Sequence, residues 1–249
     1  MNAMQQQALS KVPEVTLAFW VIKIFATTLG ETGGDAVSMS MQLGYLVSTG
    51  IFAAIFIAAV IAQISAKKFH PVIYWTTIIA TTTVGTTMAD FADRSLGIGY
   101  AGGTDILFTL LMASLLVWYY ALGSVAVDTV SSPKSEMFYW VTIMFSQTLG
   151  TALGDWTADT AGLGYEGGAI LFGAMLAVIA LMYYRTRISH TVLFWAAFIL
   201  TRPLGAVVGD FLDKPVSQGG LELSRFSASA TLLLLIVSGI YIFLRKAAK

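Results

Sequence analysis

The sequence predicts an all-α polytopic membrane protein: eight transmembrane helices built from four tandem two-helix repeats, with parallel pseudo-symmetry about the membrane normal. Three observations carry this reading. Of the 249 residues, 57% are hydrophobic and 11% charged, against roughly 25% charged in an ordinary soluble domain. Charge-free stretches of membrane-spanning length recur along the chain. An Asp follows a Trp at the same distance four times over.

The spans follow in order. No Asp, Glu, Lys or Arg occurs in 36–66, 69–89, 106–127, 137–154, 167–184 or 226–244. Each run approaches or exceeds the ~20 apolar residues that cross a bilayer. Two further apolar segments are interrupted by charge: 15–34, with Lys23 and Glu31, and 188–209, with Arg202. The predicted helices are 14–35, 43–65, 70–90, 105–127, 136–155, 167–185, 190–210 and 225–245. These runs are apolar all round, which excludes the strict alternation of a transmembrane β-barrel. Pro13, Pro71 and Pro133 stand where odd-numbered helices begin, a position at which the missing N–H costs nothing. Residues 1–13 lack the basic and apolar regions of a cleavable signal, so the first helix is expected to serve as its own insertion signal.

Basic residues set the expected orientation. With eight spans, both termini and the three even-to-odd loops share one side. That side carries Lys11, Lys67, Lys68, Lys134, Arg185, Arg187, Arg245, Lys246 and Lys249; the other carries Arg94, Lys214 and Arg225. Nine against three predicts cytoplasmic termini. The overall charge, 14 basic against 14 acidic residues, excludes a dominant basic patch for nucleic acid. The composition also excludes disorder, and the absence of Cys removes disulfides and thiolate sites.

The repeat is read directly from the residues. Phe19-Trp20, Tyr74-Trp75, Tyr139-Trp140 and Phe194-Trp195 each precede, by fifteen residues from the Trp, Asp35, Asp90, Asp155 and Asp210. Five residues before each Asp stands Gly30, Gly85, Gly150 or Gly205, and directly before it Gly34, Ala89, Gly154 or Gly209. Tyr45, Tyr100 and Tyr165 follow the first three Asp by ten residues; the fourth copy has Gly220 there, so its loop is expected to be built differently. The units are 14–68, 69–133, 134–188 and 189–249, after a short N-terminus over 1–13. Because each unit has two spans, all four point the same way.

On these residues the chain resembles a bacterial family of integral membrane proteins known as a tandem repeat of unknown function. Such proteins have four repeats of two transmembrane segments, each with a characteristic Trp. Trp20, Trp75, Trp140 and Trp195 match it, and the resemblance covers about 15–245. It implies the architecture and leaves the chemistry to the residues.

A rise of 1.5 Å per residue puts each Asp roughly 22 Å beyond its Trp, in the outer third of the hydrocarbon if the Trp lies in the inner interfacial belt. Stepping back in fours along one face gives the rows Asp35, Glu31, Thr27, Lys23; Asp90, Thr86, Thr82, Ile78; Asp155, Thr151, Gln147, Ile143; and Asp210, Ala206, Arg202, Phe198. Polar rows are costly against lipid, which predicts an inner ring of the odd-numbered helices inside the even-numbered ones. The small residues read as packing points, the Trp as interfacial anchors, and the Tyr as loop-closing or interfacial groups.

For the four Asp, two readings stand: helix-end locks, or a cation site joined by Glu31. Asp93, Asp159 and Asp213 form a second acidic set at the mouth. Lys23 and Glu31 lie about 12 Å apart along one helix, too far to pair, and Lys23 is expected to snorkel towards the cytoplasm. Arg202, beside Pro203, is expected to pair with Glu31 or a repeat Asp across the ring, as a static pair or a gate. Gln147 is its neutral counterpart, and Thr27 and Thr82 complete the lining. Oxygen-only ligands favour a hard divalent cation, Mn²⁺, Mg²⁺ or Ca²⁺; protons are an alternative.

The expected function is a cation transporter or channel of the bacterial inner membrane, with no catalytic residues. The rival is a non-transporting scaffold or sensor. An intramembrane enzyme has only paired acids such as Asp90 and Asp93 behind it. The expected partners are the lipid bilayer and a small cation, with no nucleic acid; a homo-oligomer stays open.

Overall fold

The computed structural model describes residues 10–247, with side chains over 10–242; most of the 1–13 stretch read for a signal, the side chains of Arg245 and Lys246, and Lys249 lie outside what is described. Among them are eight α-helices and no strand: α1 (Leu17–Asp35), α2 (Gly44–Ser65), α3 (Pro71–Asp90), α4 (Gly99–Leu122), α5 (Pro133–Asp155), α6 (Gly164–Arg185), α7 (His190–Asp213) and α8 (Arg225–Ala247). Five of them, α2, α4, α6, α7 and α8, are long and apolar enough to cross a membrane. The other three, α1, α3 and α5, have 19, 20 and 23 residues and carry the Thr, Glu and Gln of the polar rows.

Element boundaries differ from expectation where a charge was taken as a limit. Helix α4 begins at Gly99 rather than 105, with Asp105 accommodated in its second turn, and α6 begins at Gly164 rather than 167, with Glu166 in the first turn, where the helix dipole favours acid. Helix α4 stops at Leu122 because Gly123 adopts φ 76° as its left-handed cap. Pro71 and Pro133 begin α3 and α5 as expected. Pro13 does not begin α1: Thr16 caps it, accepting from the Phe19 N–H.

Helices α1, α3, α5 and α7 form a closed inner ring, each packed on the next and α7 back on α1, with α2, α4, α6 and α8 outside. The ring closes through the repeat glycines. A Cβ on Gly30 would strike Thr82; on Gly85, the backbone of Gln147 and Thr148; on Gly150, Arg202; and on Gly205, Thr27. Each glycine five residues before an Asp therefore seats the residue eight before the next Asp. Gly34, Gly154 and Gly209 repeat the relation one turn on, facing Thr86, Ala206 and Glu31. Four contacts of one kind and one sense make the rotational pseudo-symmetry, and they turn the four stepped rows into stacked layers.

The Trp end of the ring is a packed aromatic plug, which corrects the reading of the Trp as interfacial anchors. Trp75, Trp140 and Trp195 are buried and Trp20 half-buried, clustered with Phe19, Tyr74, Tyr139, Phe194 and Phe198. The rings meet edge-on or tilted at centroid distances such as 5.5 Å for Phe19–Trp75 and 5.7 Å for Tyr74–Trp140. Tyr74 and Tyr139 share a hydroxyl hydrogen bond of 2.7 Å. The pairs converge because each repeat contributes them at the same height, and large rings pack favourably edge-on or offset against one another. Beside the plug, Lys11 is strapped to Glu136 at 2.7 Å and donates to the carbonyls of Gln63 and Ile64.

Candidate functional site

Helices α1, α3 and α5 end at the Asp layer. In the first three repeats the α-helix passes straight into one π-helical turn, Ala36–Ser40, Phe91–Ser95 and Trp156–Thr160. The fourth repeat is built differently, as expected. Helix α7 continues to Asp213, and the chain then folds back through Val216–Gln218. Gly219 (φ 86°) and Gly220 allow this return; a Cβ on Gly220 would meet the Lys214 backbone. The Glu222 N–H donates to the Lys214 carbonyl at 2.9 Å, so the Lys214 backbone is pinned.

Asp35, Asp90, Asp155 and Asp210 are all buried at one level. They are not a bare acidic ring. Arg94 bridges Asp90 (3.0 Å) and Asp155 (3.2 Å). Lys214 bridges Asp210 (3.1 Å) and Asp35. Each bridging cation stands four residues after the Asp of its own repeat and reaches the Asp of the following repeat. Repeats 2 and 4 supply these cations; the same positions in repeats 1 and 3 are Met39 and Asp159. The fourfold backbone thus carries a twofold pattern of charge.

The two clasps differ. Arg94 is further held by the Tyr45 hydroxyl at 3.3 Å and stands over the Tyr100 ring at 5.8 Å. Asp90 and Asp155 hold its guanidinium firmly charged against the opposing effect of burial. Lys214 is more deeply buried, and burial acts to lower its pKa. Asp210, Asp35 and Asp213 outweigh that effect and keep its pKa well above the usual lysine value. Arg225, the first residue of α8, adds a contact to Asp35 at 3.8 Å while pairing with Asp213 at 3.1 Å.

Below the Lys214 clasp, Glu31 completes a group of three buried carboxylates. Glu31, Asp35 and Asp210 each offer an oxygen within 4.8 Å of the others. Glu31 also accepts from Arg202 at 3.0 Å, as the sequence led one to expect. The same Arg202 nitrogen reaches the hydroxyls of Thr86 and Thr151, 2.5 Å each, and Nη1 reaches the Thr27 carbonyl at 3.5 Å. Arg202 therefore ties all four inner helices together at one atom group.

Among the other expected lining residues, Thr82 and Gln147 are fully buried with side-chain polar atoms that have no protein partner. Thr27 donates to the carbonyls of Ile24 and Thr201. Lys23 does not snorkel. It is wholly buried, donating to Thr201 Oγ1 at 2.6 Å and the Phe198 carbonyl at 3.1 Å, with its ammonium 3.8 Å from the Phe198 ring centroid. The aromatic plug closes the Trp end beside it, which removes the exit that snorkelling needs.

The second acidic set does not assemble as a mouth. Asp159 alone of the three opens on a recess of about 490 Å³ at the Asp end, with Arg94, Tyr100, Tyr165, Lys214 and Gln218. Asp213 is taken by Arg225. Asp93 is tucked against Gly103, where a Cβ would collide with it, and neither of its oxygens has a hydrogen-bond partner. Burial raises its pKa to about 6, against the smaller opposing effect of Arg94.

The sequence shows Arg94, Lys214 and Arg225 only as outer-loop charges. The signal that finds the first two is the four-residue step of the polar rows, continued forwards past Asp90 and Asp210 as well as back.

No curated protein and no solved structure matches the chain. Four segments, 18–69, 73–123, 138–189 and 193–247, match the family described as Repeat of Unknown Function (DUF347). These segments account for most of the chain and coincide with the four two-helix units seen in the fold, so this protein belongs to the DUF347 repeat family.

Proposed function

We propose that this protein is an eight-span transporter of a hard divalent cation in the bacterial inner membrane. The termini and the aromatic plug lie on the cytoplasmic side and the Asp end faces outwards. One observation carries the reading: the oxygens of Glu31, Asp35 and Asp210 come within 4.8 Å of one another, buried, beside a recess lined by Lys214. An all-oxygen carboxylate set suits Mn²⁺, Mg²⁺ or Ca²⁺. The eight-span reading is supported by the sidedness of the basic residues. It is supported too by the placing of the polar rows of α1, α3 and α5 inside a ring of apolar helices, where lipid does not meet them.

The test is flux. Reconstituted protein should pass Mn²⁺ into liposomes, and the variant with Asp35, Asp90, Asp155 and Asp210 all changed to Asn, if it still inserts and folds, should not. Equal flux from both would overturn the assignment.

A second reading has its own observation. The Arg94 and Lys214 clasps join the helix ends of all four repeats, as a non-transporting scaffold would need. Liposomes holding folded wild-type protein that pass no Mn²⁺, Mg²⁺, K⁺ or H⁺ favour it.

A further inference from the structure

The two clasps are related by the 120-residue repeat of the halves, and the differences between them are chemical. Asp35 corresponds to Asp155, Asp90 to Asp210 and Arg94 to Lys214, but Glu31 corresponds to Thr151. At the level below the clasp only the Lys214 half has a carboxylate; Asp213 is matched by Asp93, and Asp159 stands where the other half has Met39. Asp35 keeps one buried oxygen with no hydrogen-bond partner, as Asp90 also does in the Arg94 half. A compact ammonium fills a cage of carboxylates in the Lys214 half, whereas the Arg94 guanidinium is braced by Tyr45 and Tyr100. An ammonium has one attachment to the protein, a flexible four-carbon stem, and is exchanged more readily than a bidentate guanidinium.

Resting on the transport reading above, we infer that Lys214 is a tethered stand-in for the substrate, and that a divalent cation enters by displacing its ammonium from Asp35 and Asp210 into the recess. Charge favours the divalent ion. With Lys214 withdrawn, Glu31 keeps Arg202 and Asp35 keeps the 3.8 Å contact of Arg225, whose charge is matched by its nearer partner Asp213, so the three carboxylates are left with two negative charges that one divalent ion neutralises. Space and a new partner are present, because Lys214 and the exposed Asp159 line the same recess. The Lys214 backbone stays fixed by the Gly220 return and its hydrogen bond to Glu222, so only the side chain moves. The lysine leaves as an ammonium and no proton is exchanged. The Arg94 half stays closed and serves as a static clasp.

Two measurements on detergent-purified full-length protein test this, with Mn²⁺ as the probe. In the wild type, saturating Mn²⁺ should increase acetylation of Lys214 by an amine reagent, read by peptide mass spectrometry; unchanged labelling overturns the inference. By isothermal titration, Lys214→Met should bind Mn²⁺ about tenfold or more tightly, since an intramolecular competitor has been removed. Arg94→Met should stay near the wild-type affinity, and Lys214→Arg, which keeps the charge, should bind no more tightly than wild type. Equal tightening by Lys214→Met and Arg94→Met, or none by either, overturns the inference. If wild-type flux depends on Asp35 and Asp210 while these results fail, the displacement alone is wrong; if there is no flux, the transport reading falls with it.

Discussion

Arg202 and Glu31, 171 residues apart in the chain, form a buried ion pair of 3.0 Å across the inner ring. The arginine is fully enclosed, and its other contacts are hydroxyls and a carbonyl, so Glu31 is the charge that balances it. Removing one member of such a pair strands the other, at a cost of about 3–5 kcal/mol, whereas replacing both with apolar groups is often neutral. Arg202→Met should therefore lower the thermal midpoint strongly, and the double variant Arg202→Met with Glu31→Leu should recover most of the loss. A double variant as unstable as the single one would show that the arginine acts through its Thr86 and Thr151 contacts instead.

The glycine contacts that close the ring are equally exposed to test. Gly205→Ala places a Cβ against Thr27, while at Gly50, on the outer face of α2, a Cβ meets nothing within 4 Å. Overpacking costs about 1–3 kcal/mol, whereas Ala for Gly in an open helical position gains about 0.5–1 kcal/mol. Opposite shifts of the unfolding midpoint in the two variants are expected. Equal shifts would mean that the helices are not in close approach at Gly205.

Trp140 distinguishes a core from an interfacial role. It is 2% exposed and packed among Tyr74 and Tyr139. Trp140→Ala should cost about 3–5 kcal/mol in unfolding experiments, and the same change at the half-buried Trp20 should cost less. An interfacial anchor would produce a small loss at both sites.

Asp93 should make stability depend on pH. Its folded pKa of about 6 lies above the ordinary carboxylate value, so between about pH 4 and 6 the folded protein holds a proton that the unfolded chain has released. Its contribution therefore stabilises the fold as pH falls through this window and is lost as pH rises through the folded pKa. Asp93→Asn should raise the thermal midpoint at pH 7 and flatten that part of the profile. An unchanged slope would show that Asp93 is solvated and ordinary.

How much of this was legible beforehand follows from what helical spacing can encode. A residue's height and face on its own helix depend only on its position in the chain. The four W-to-D intervals, the stepped polar rows and the glycines five before each Asp therefore point to a ring of inner helices, with Arg202 facing Glu31 or a repeat Asp across it; the structure selects Glu31. The Trp were misplaced because an aromatic ring at a helix end has the same local pattern whether it turns to lipid or to its three counterparts. Lys23 was misplaced for a related reason: the seat for its ammonium is Thr201 and the Phe198 carbonyl, on a helix more than 170 residues away.

The sequence by itself determined the repeat, the eight helical segments, the inner and outer division and the common level of the four Asp. All of these are consequences of local periodicity and of the cost of polar groups in lipid. Only the tertiary structure decided how that level is neutralised. Lys214 meets Asp35 across 179 residues and Arg94 meets Asp155 across 61. Such meetings depend on which helix follows which around the ring and how each is rotated. Glycine contacts between helices set that geometry, and no spacing along one helix records it.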